Sequence, residues 1–109
     1  MSPETKENIE QMIASHKIVV FMKGSVDFPQ CGFSSATVEC FLRLGAQFET
    51  VNVLADESVR AGIKAYSNWP TIPQVYIDGQ FMGGCDIVRE MFANGQLKEK
   101  VRAVGAVAA

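Results

Sequence analysis

The chain has 109 residues, 48% of them hydrophobic, which is enough for one domain with a packed core and no more. Its formal net charge is -2 with no basic run, which argues against nucleic acid as a partner. The longest aliphatic and aromatic run, Ile18 to Met22, is far too short to cross a bilayer, and the odd set Cys31, Cys40 and Cys85 points to a reducing compartment rather than a secreted disulfide framework.

The polar start Met1-Ser2-Pro3-Glu4-Thr5 reads as a helix start and not as a signal peptide, with Ser2 as cap and Pro3 in the first turn. Ile9, Met12 and Ile13 give that helix one apolar face, and His16 follows as a charge partner for its carboxyl end. Ile18 to Met22 predicts a strand covered on both faces, hence a central one. Residues 23–30 form a loop. A second helix runs from about Gly32 to Leu44, with Val38, Phe41 and Leu42 turned inward and Gly45 ending it. Phe48 to Val53 reads as a strand, and Asp56 caps a third helix reaching about Tyr66. Thr71-Ile72-Pro73 leads into a strand from Gln74 to Ile77, and Asp78-Gly79 turns it into another from Gln80 to Met82. Gly83-Gly84 opens a helix near Cys85 or Asp86, Asn94-Gly95 breaks it, and a last helix spans Leu97 to about Val104. The tail Gly105 to Ala109 is expected to fray. Two strands joined by a helix make a right-handed parallel crossover, and a hairpin follows. The sum is an α/β, thioredoxin-like fold: a mixed four-stranded sheet flanked by five helices.

Chemistry gathers at three places. The first is Lys23-Gly24-Ser25-Val26-Asp27-Phe28-Pro29-Gln30-Cys31-Gly32-Phe33-Ser34. An arbitrary cysteine is most often a small core residue. Cys31 instead follows a polar loop, lies between Pro29 and Gly32, and opens a helix, where the dipole and nearby Lys23 favour a thiolate. Three residues on, where a dithiol redox site carries its second cysteine, stands Ser34. The second place is Trp69-Pro70-Thr71-Ile72-Pro73. A cis Pro73 would hold the preceding backbone extended, ready to pair with a peptide-like ligand; an ordinary rigid turn is the plainer reading. The third is Gly83-Gly84-Cys85-Asp86, where glycines admit close backbone approach and a helix start offers free amides to a carboxylate. Lys23, Arg60 and Lys64 are candidate anion clamps, each otherwise an ordinary surface charge. Cys40, mid-helix beside Phe41, reads as structural.

These three motifs, KGSVDFPQCGFS, WPTIPQ and GGCD, resemble in order and spacing those of a monothiol glutaredoxin of the CGFS class. The similarity covers roughly Ile9 to Val101 and implies a single glutaredoxin domain over 1–109, with its core at about 9–101. It implies that glutathione binds here. The cysteinyl backbone of glutathione would pair with Ile72 before cis-Pro73, and its glycyl carboxylate would meet Lys23 and Arg60. Its γ-glutamyl end would sit at Gly84, on the Cys85 amide and the Asp86 side chain. Lys64 stays outside this set.

A [2Fe-2S] cluster needs four ligands, typically thiolates. One exposed Cys31 and one glutathione per chain make two, so counting favours a homodimer around a shared cluster, with a monomer when apo. This agrees with what the resemblance implies: a labile cluster transferred to apo iron-sulfur proteins, with a BolA-like protein as heterodimer partner. The rival expectation is a glutathione-dependent deglutathionylating oxidoreductase that uses Cys31 as its sole nucleophile. The loop from Gly24 to Gln30, which the resemblance marks as absent from dithiol glutaredoxins, disfavours glutathione as the reducing nucleophile, so that activity is expected to be weak. Cys85 is a possible redox partner of Cys31, provided the Cα atoms lie within ~7 Å. Segments 15–24 and 66–71 look most like plastid members, which implies the chloroplast stroma, with bacterial cytoplasm or mitochondrial matrix as alternatives.

Overall fold

The all-apolar run Ile18–Met22 is strand β1, and each of its five side chains is buried. In the computed structural model, which describes residues 1–107, β1 lies inside a four-stranded sheet. Glu49–Asn52 (β2) runs parallel to it on one side. Gln74–Ile77 (β3) runs antiparallel on the other, and Gln80–Gly83 (β4) forms the far edge. The helices are α1 (Pro3–Ala14), α2 (Gly32–Arg43), α3 (Glu57–Ser67), α4 (Cys85–Ala93) and α5 (Gln96–Ala103).

Alternation along β1 explains why it carries no polar residue. Ile18, Val20 and Met22 join a core with Val38 and Phe41 of α2, Val88 and Met91 of α4, and Leu97 and Val101 of α5. Val19 and Phe21 face the other way, onto Ile9 and Ile13 of α1 and Val59 and Ile63 of α3. Caps set the helix starts: Ser2 Oγ accepts from the Thr5 amide at 3.1 Å, and Asp56 Oδ1 from Ser58 at 3.0 Å. Asn68, left-handed at φ 54, ends α3.

Three expectations are corrected. Leu42 does not turn inward: it is 50% exposed, and Cys40, 6% exposed, takes the inner position because α4 packs on that side of α2. The second strand is shorter than 48–53. Phe48 precedes it with its ring 5.5 Å from that of Phe41, and Val53–Ala55 is a 3-10 turn that begins where Asn52 Oδ1 accepts from the Leu54 amide. His16 does stand at the end of α1, with its Nδ1 2.9 Å from Oγ of the C-cap Ser15, and its Nε2 also lies 3.7 Å from Glu49 Oε2. The tail is not frayed through Val107: the Gln47 amide donates to the Ala106 carbonyl at 2.6 Å, and Val107 bridges to Ala46. Residues 108–109, also part of that expectation, lie outside the described residues.

Candidate functional site

The carboxyl end of β1 and the amino end of β3 bring three segments together, the irregular residues 23–31 and 69–73 and the β4–α4 junction at 83–86. Cys31 is the N-cap of α2, extended at φ -152, and its carbonyl accepts from the Ser35 amide. Its thiol makes no side-chain cap at hydrogen-bond length. The surroundings nevertheless hold its pKa below the ordinary thiol value. The Ser34 amide contributes most, then the Phe33 amide, the Lys23 charge and the Ser34 hydroxyl, against the opposing effect of burial. Cys40 goes the other way: burial pushes its thiol up, and the neighbouring Cys85 adds to the effect. All three cysteines are free thiols; Cys31 is half-buried, and Cys40 and Cys85 are buried.

The loop before Cys31 is tied at both ends. The Lys23 amide donates to Ser34 Oγ at 3.1 Å, and the Gln30 amide donates to the Lys23 carbonyl at 2.9 Å. The Gly24 amide donates to Asn52 Oδ1 at 3.0 Å, joining residues 28 apart in sequence. Gly24 has φ +92, and a Cβ there would lie 2.7 Å from the Gln30 nitrogen, so this turn needs glycine.

The facing wall is built from the other two segments. The Ile72–Pro73 bond is cis. Gln74, fully buried, donates through Nε2 to the carbonyls of Trp69 at 3.1 Å and Thr71 at 3.3 Å. Neither the amide nor the carbonyl of Ile72 has a hydrogen-bond partner among the described residues. Gly84 caps α4 without a side chain, leaving the amides of Cys85 and Asp86 at an uncovered helix start.

Between these walls lies a cleft of about 370 Å³. It unites five of the residues expected from sequence: Ile72, Pro73, Gly84, Cys85 and Asp86. Cys31, Lys23 and Arg60 do not line it. Cys31 adjoins it through Phe33, two residues on in the first turn of α2. Lys23 is near enough to favour the thiolate. Arg60, on α3, has its guanidinium 3.9 Å from Glu57. Phe33, Trp69, Thr71 and Ile87 also line the cleft. Sequence reasoning gave them no role, although the first three stand inside the quoted motifs. It also missed Asn52 and Gln74; a glutamine opening an otherwise apolar strand was the available signal for the second. A larger crevice of about 970 Å³ at the other end of the sheet is lined by turn residues such as His16, Lys17 and Asp78. No cysteine lines it, and chemistry rather than volume selects the smaller cleft, which the activated Cys31 adjoins through Phe33.

The glutaredoxin family model matches residues 18–82. The chain is 56% identical over 99 residues to a ycf64-like monothiol glutaredoxin of Synechocystis, covering 91% of this chain and 92% of that protein. It is 50% identical over 101 residues to a chloroplastic monothiol glutaredoxin of Arabidopsis thaliana, covering 93% of this chain but 58% of that longer protein. In structure it is similar to a buckwheat glutaredoxin–glutathione complex, with TM-score 0.86 and 28% identity over 99% of this chain and all (100%) of that one. With an activated cysteine at the cap of α2 and a serine in place of the second thiol, the chain belongs to the glutaredoxin family, among its monothiol members.

Proposed function

We propose that this protein binds glutathione in the cleft beside Cys31 and carries a [2Fe-2S] cluster as cargo between two copies of itself. The cluster would be held by two Cys31 thiolates and two glutathione thiolates and passed to apo iron-sulfur proteins. The observation that carries this reading is the contrast among the thiols: Cys31 is accessible and favoured as thiolate, while Cys40 and Cys85 are 6% and 7% exposed. Each chain then offers one cluster ligand, and a four-ligand cluster draws the rest from glutathione and a second copy.

The cleft's chemistry suits glutathione residue by residue. Ile72, with Pro73 fixing its orientation, offers an unpaired backbone amide and carbonyl to the cysteinyl residue, as an added strand would. Gly84 allows close approach, and the Cys85 and Asp86 amides with the Asp86 carboxylate suit the zwitterionic γ-glutamyl end. Lys23 suits the glycyl carboxylate, and Arg60, whose Nη1 lies 3.9 Å from the exposed Glu57, is the second cation proposed for it. The buckwheat complex, with glutathione bound to a glutaredoxin of this fold, supports the assignment. A BolA-like protein is the proposed heterodimer partner, residues 1–109 are read as one domain, and the chloroplast stroma is the favoured location, with bacterial cytoplasm or mitochondrial matrix as alternatives that the cyanobacterial and mitochondrial relatives keep open.

Anaerobic reconstitution with iron, sulfide and glutathione tests the reading by visible absorption and native mass. A coloured dimer that requires glutathione and disappears in Cys31→Ser is expected. A colourless monomer that still binds glutathione would move the assignment to the deglutathionylating oxidoreductase.

A further inference from the structure

A peptide that pairs with Ile72 needs the backbone of residues 71–73 held still, yet two of the five residues from Trp69 to Pro73 are prolines with no amide to anchor them. Gln74 supplies the anchor. It opens β3 opposite Phe21, is fully buried, and uses both hydrogens of its amide on the Trp69 and Thr71 carbonyls. Its Oε1 accepts from the Tyr76 hydroxyl in a long 3.4 Å contact. Burial pushes the Tyr76 pKa up to about 12, so this hydroxyl keeps its proton at physiological pH.

With the carbonyls of Trp69 and Thr71, which precede Pro70 and Ile72, turned back into the fold, the amide and carbonyl of Ile72 are left without a partner among the described residues. We propose that Gln74 is the positioning residue of the cleft. Through its bonds to Trp69 and Thr71 it presents the Ile72 backbone as a preformed strand edge to the peptide, without touching ligand or thiol. This rests on the reading that the cleft binds glutathione. It separates two properties that a general loosening would join: ligand affinity, set from the β3 side, and thiol ionisation, set by the amides of α2.

The test compares wild type with Gln74→Met, which keeps length and loses both donors and the acceptor. Glutathione is titrated calorimetrically, and the pH midpoint of Cys31 alkylation is measured on the same samples. The expected result is a Kd raised roughly tenfold, as the loss of two buried hydrogen bonds implies, with the midpoint unchanged. If Gln74→Met does not fold, Tyr76→Phe takes its place, with an expected rise of about threefold. A Kd within about twofold of wild type in the folded methionine variant, or no change in the phenylalanine variant that replaces it, overturns the proposal, as does a Kd and midpoint that shift together. Wild type that fails to bind glutathione sinks the glutathione reading itself and this inference with it.

Discussion

Two cysteines open two helices at the same end of the sheet, and one position of register separates their fates. Cys31 is the cap of α2, extended, with its thiol beside the amides of the first turn. Cys85 is one step further in, the first residue of α4, behind a glycine cap, and it is 7% exposed. A side chain at the cap turns toward the orphan amides of the helix start, whereas one at the first helical position does not. The end of α2 is therefore met by the protein's own sulfur. The end of α4, capped by a residue with no side chain, has no side-chain cap of its own. The same helix-end electrostatics favour a thiolate in one place and, on the proposed reading, would seat an anion in the other.

The largest expected effect breaks the comparison at α2. Near neutral pH, iodoacetamide is expected to modify Cys31 on the order of a hundredfold faster than either buried thiol. Cys31→Ser should abolish the fast equivalent and leave the slow ones for the unfolded chain. Peptide mapping that finds Cys85 modified as quickly as Cys31 would end the distinction. The next effect belongs to α4. Gly83 has φ +121, and a Cβ there would lie 2.7 Å from Ile87 Cδ1. Gly83→Ala is expected to cost about 2–3 kcal/mol in chemical denaturation, from backbone strain and overpacking together. Its alkylation midpoint at Cys31 should stay in place, because the α2 mouth is built separately.

Asn52→Ala does the reverse. Asn52 Oδ1 accepts from the Gly24 and Leu54 amides, so its removal should cost about 1–2 kcal/mol. It also frees one tie of the segment carrying Lys23, so the Cys31 alkylation midpoint should rise toward the ordinary thiol value. Glutathione affinity should fall only as far as Lys23 contributes to it. A variant that loses stability with the midpoint unmoved would show that the loop is held without Asn52.

What was legible in the sequence and what was not divides along the range of the interactions. The burial of β1 could be read from five consecutive apolar residues, and the starts of α1 and α3 from Ser2 and Asp56, because each signal is local. The three cleft segments were legible as motifs for the same reason. Leu42 was misread because Val38, Phe41 and Leu42 all fit helical spacing; which way the stripe swings was decided by α4, more than forty residues away in the chain. Asn52 and Gln74 escaped because their roles are set by partners that spacing does not reveal. Asn52 bonds to a residue 28 positions earlier, and Gln74 bonds backward across two prolines. The seating of Ala106 under the α2–β2 turn was invisible for the same reason: a short Gly/Ala/Val tail carries no pattern of its own.

The smallest expected effect is the sharpest test of why Cys31 ionises. Ser34 contributes twice, through its amide, the largest influence, and through its hydroxyl, the smallest of those favouring the thiolate. Ser34→Ala removes only the hydroxyl, along with its bond from the Lys23 amide. The midpoint should therefore rise only slightly and stop well short of an unperturbed thiol, because the amides remain. The sign extends to stability. A thiol whose pKa is lower in the folded state stabilises only when ionised, fully above the unfolded value of about 8.5 and not at all below the folded one. The gap in thermal midpoint between wild type and Ser34→Ala should thus widen as pH rises toward the unfolded thiol value of about 8.5 and level off above it, on top of a constant offset from the lost Lys23 bond. A gap that stays flat while the alkylation midpoint moves would mean that the hydroxyl acts on the reactivity of the sulfur and not on its ionisation.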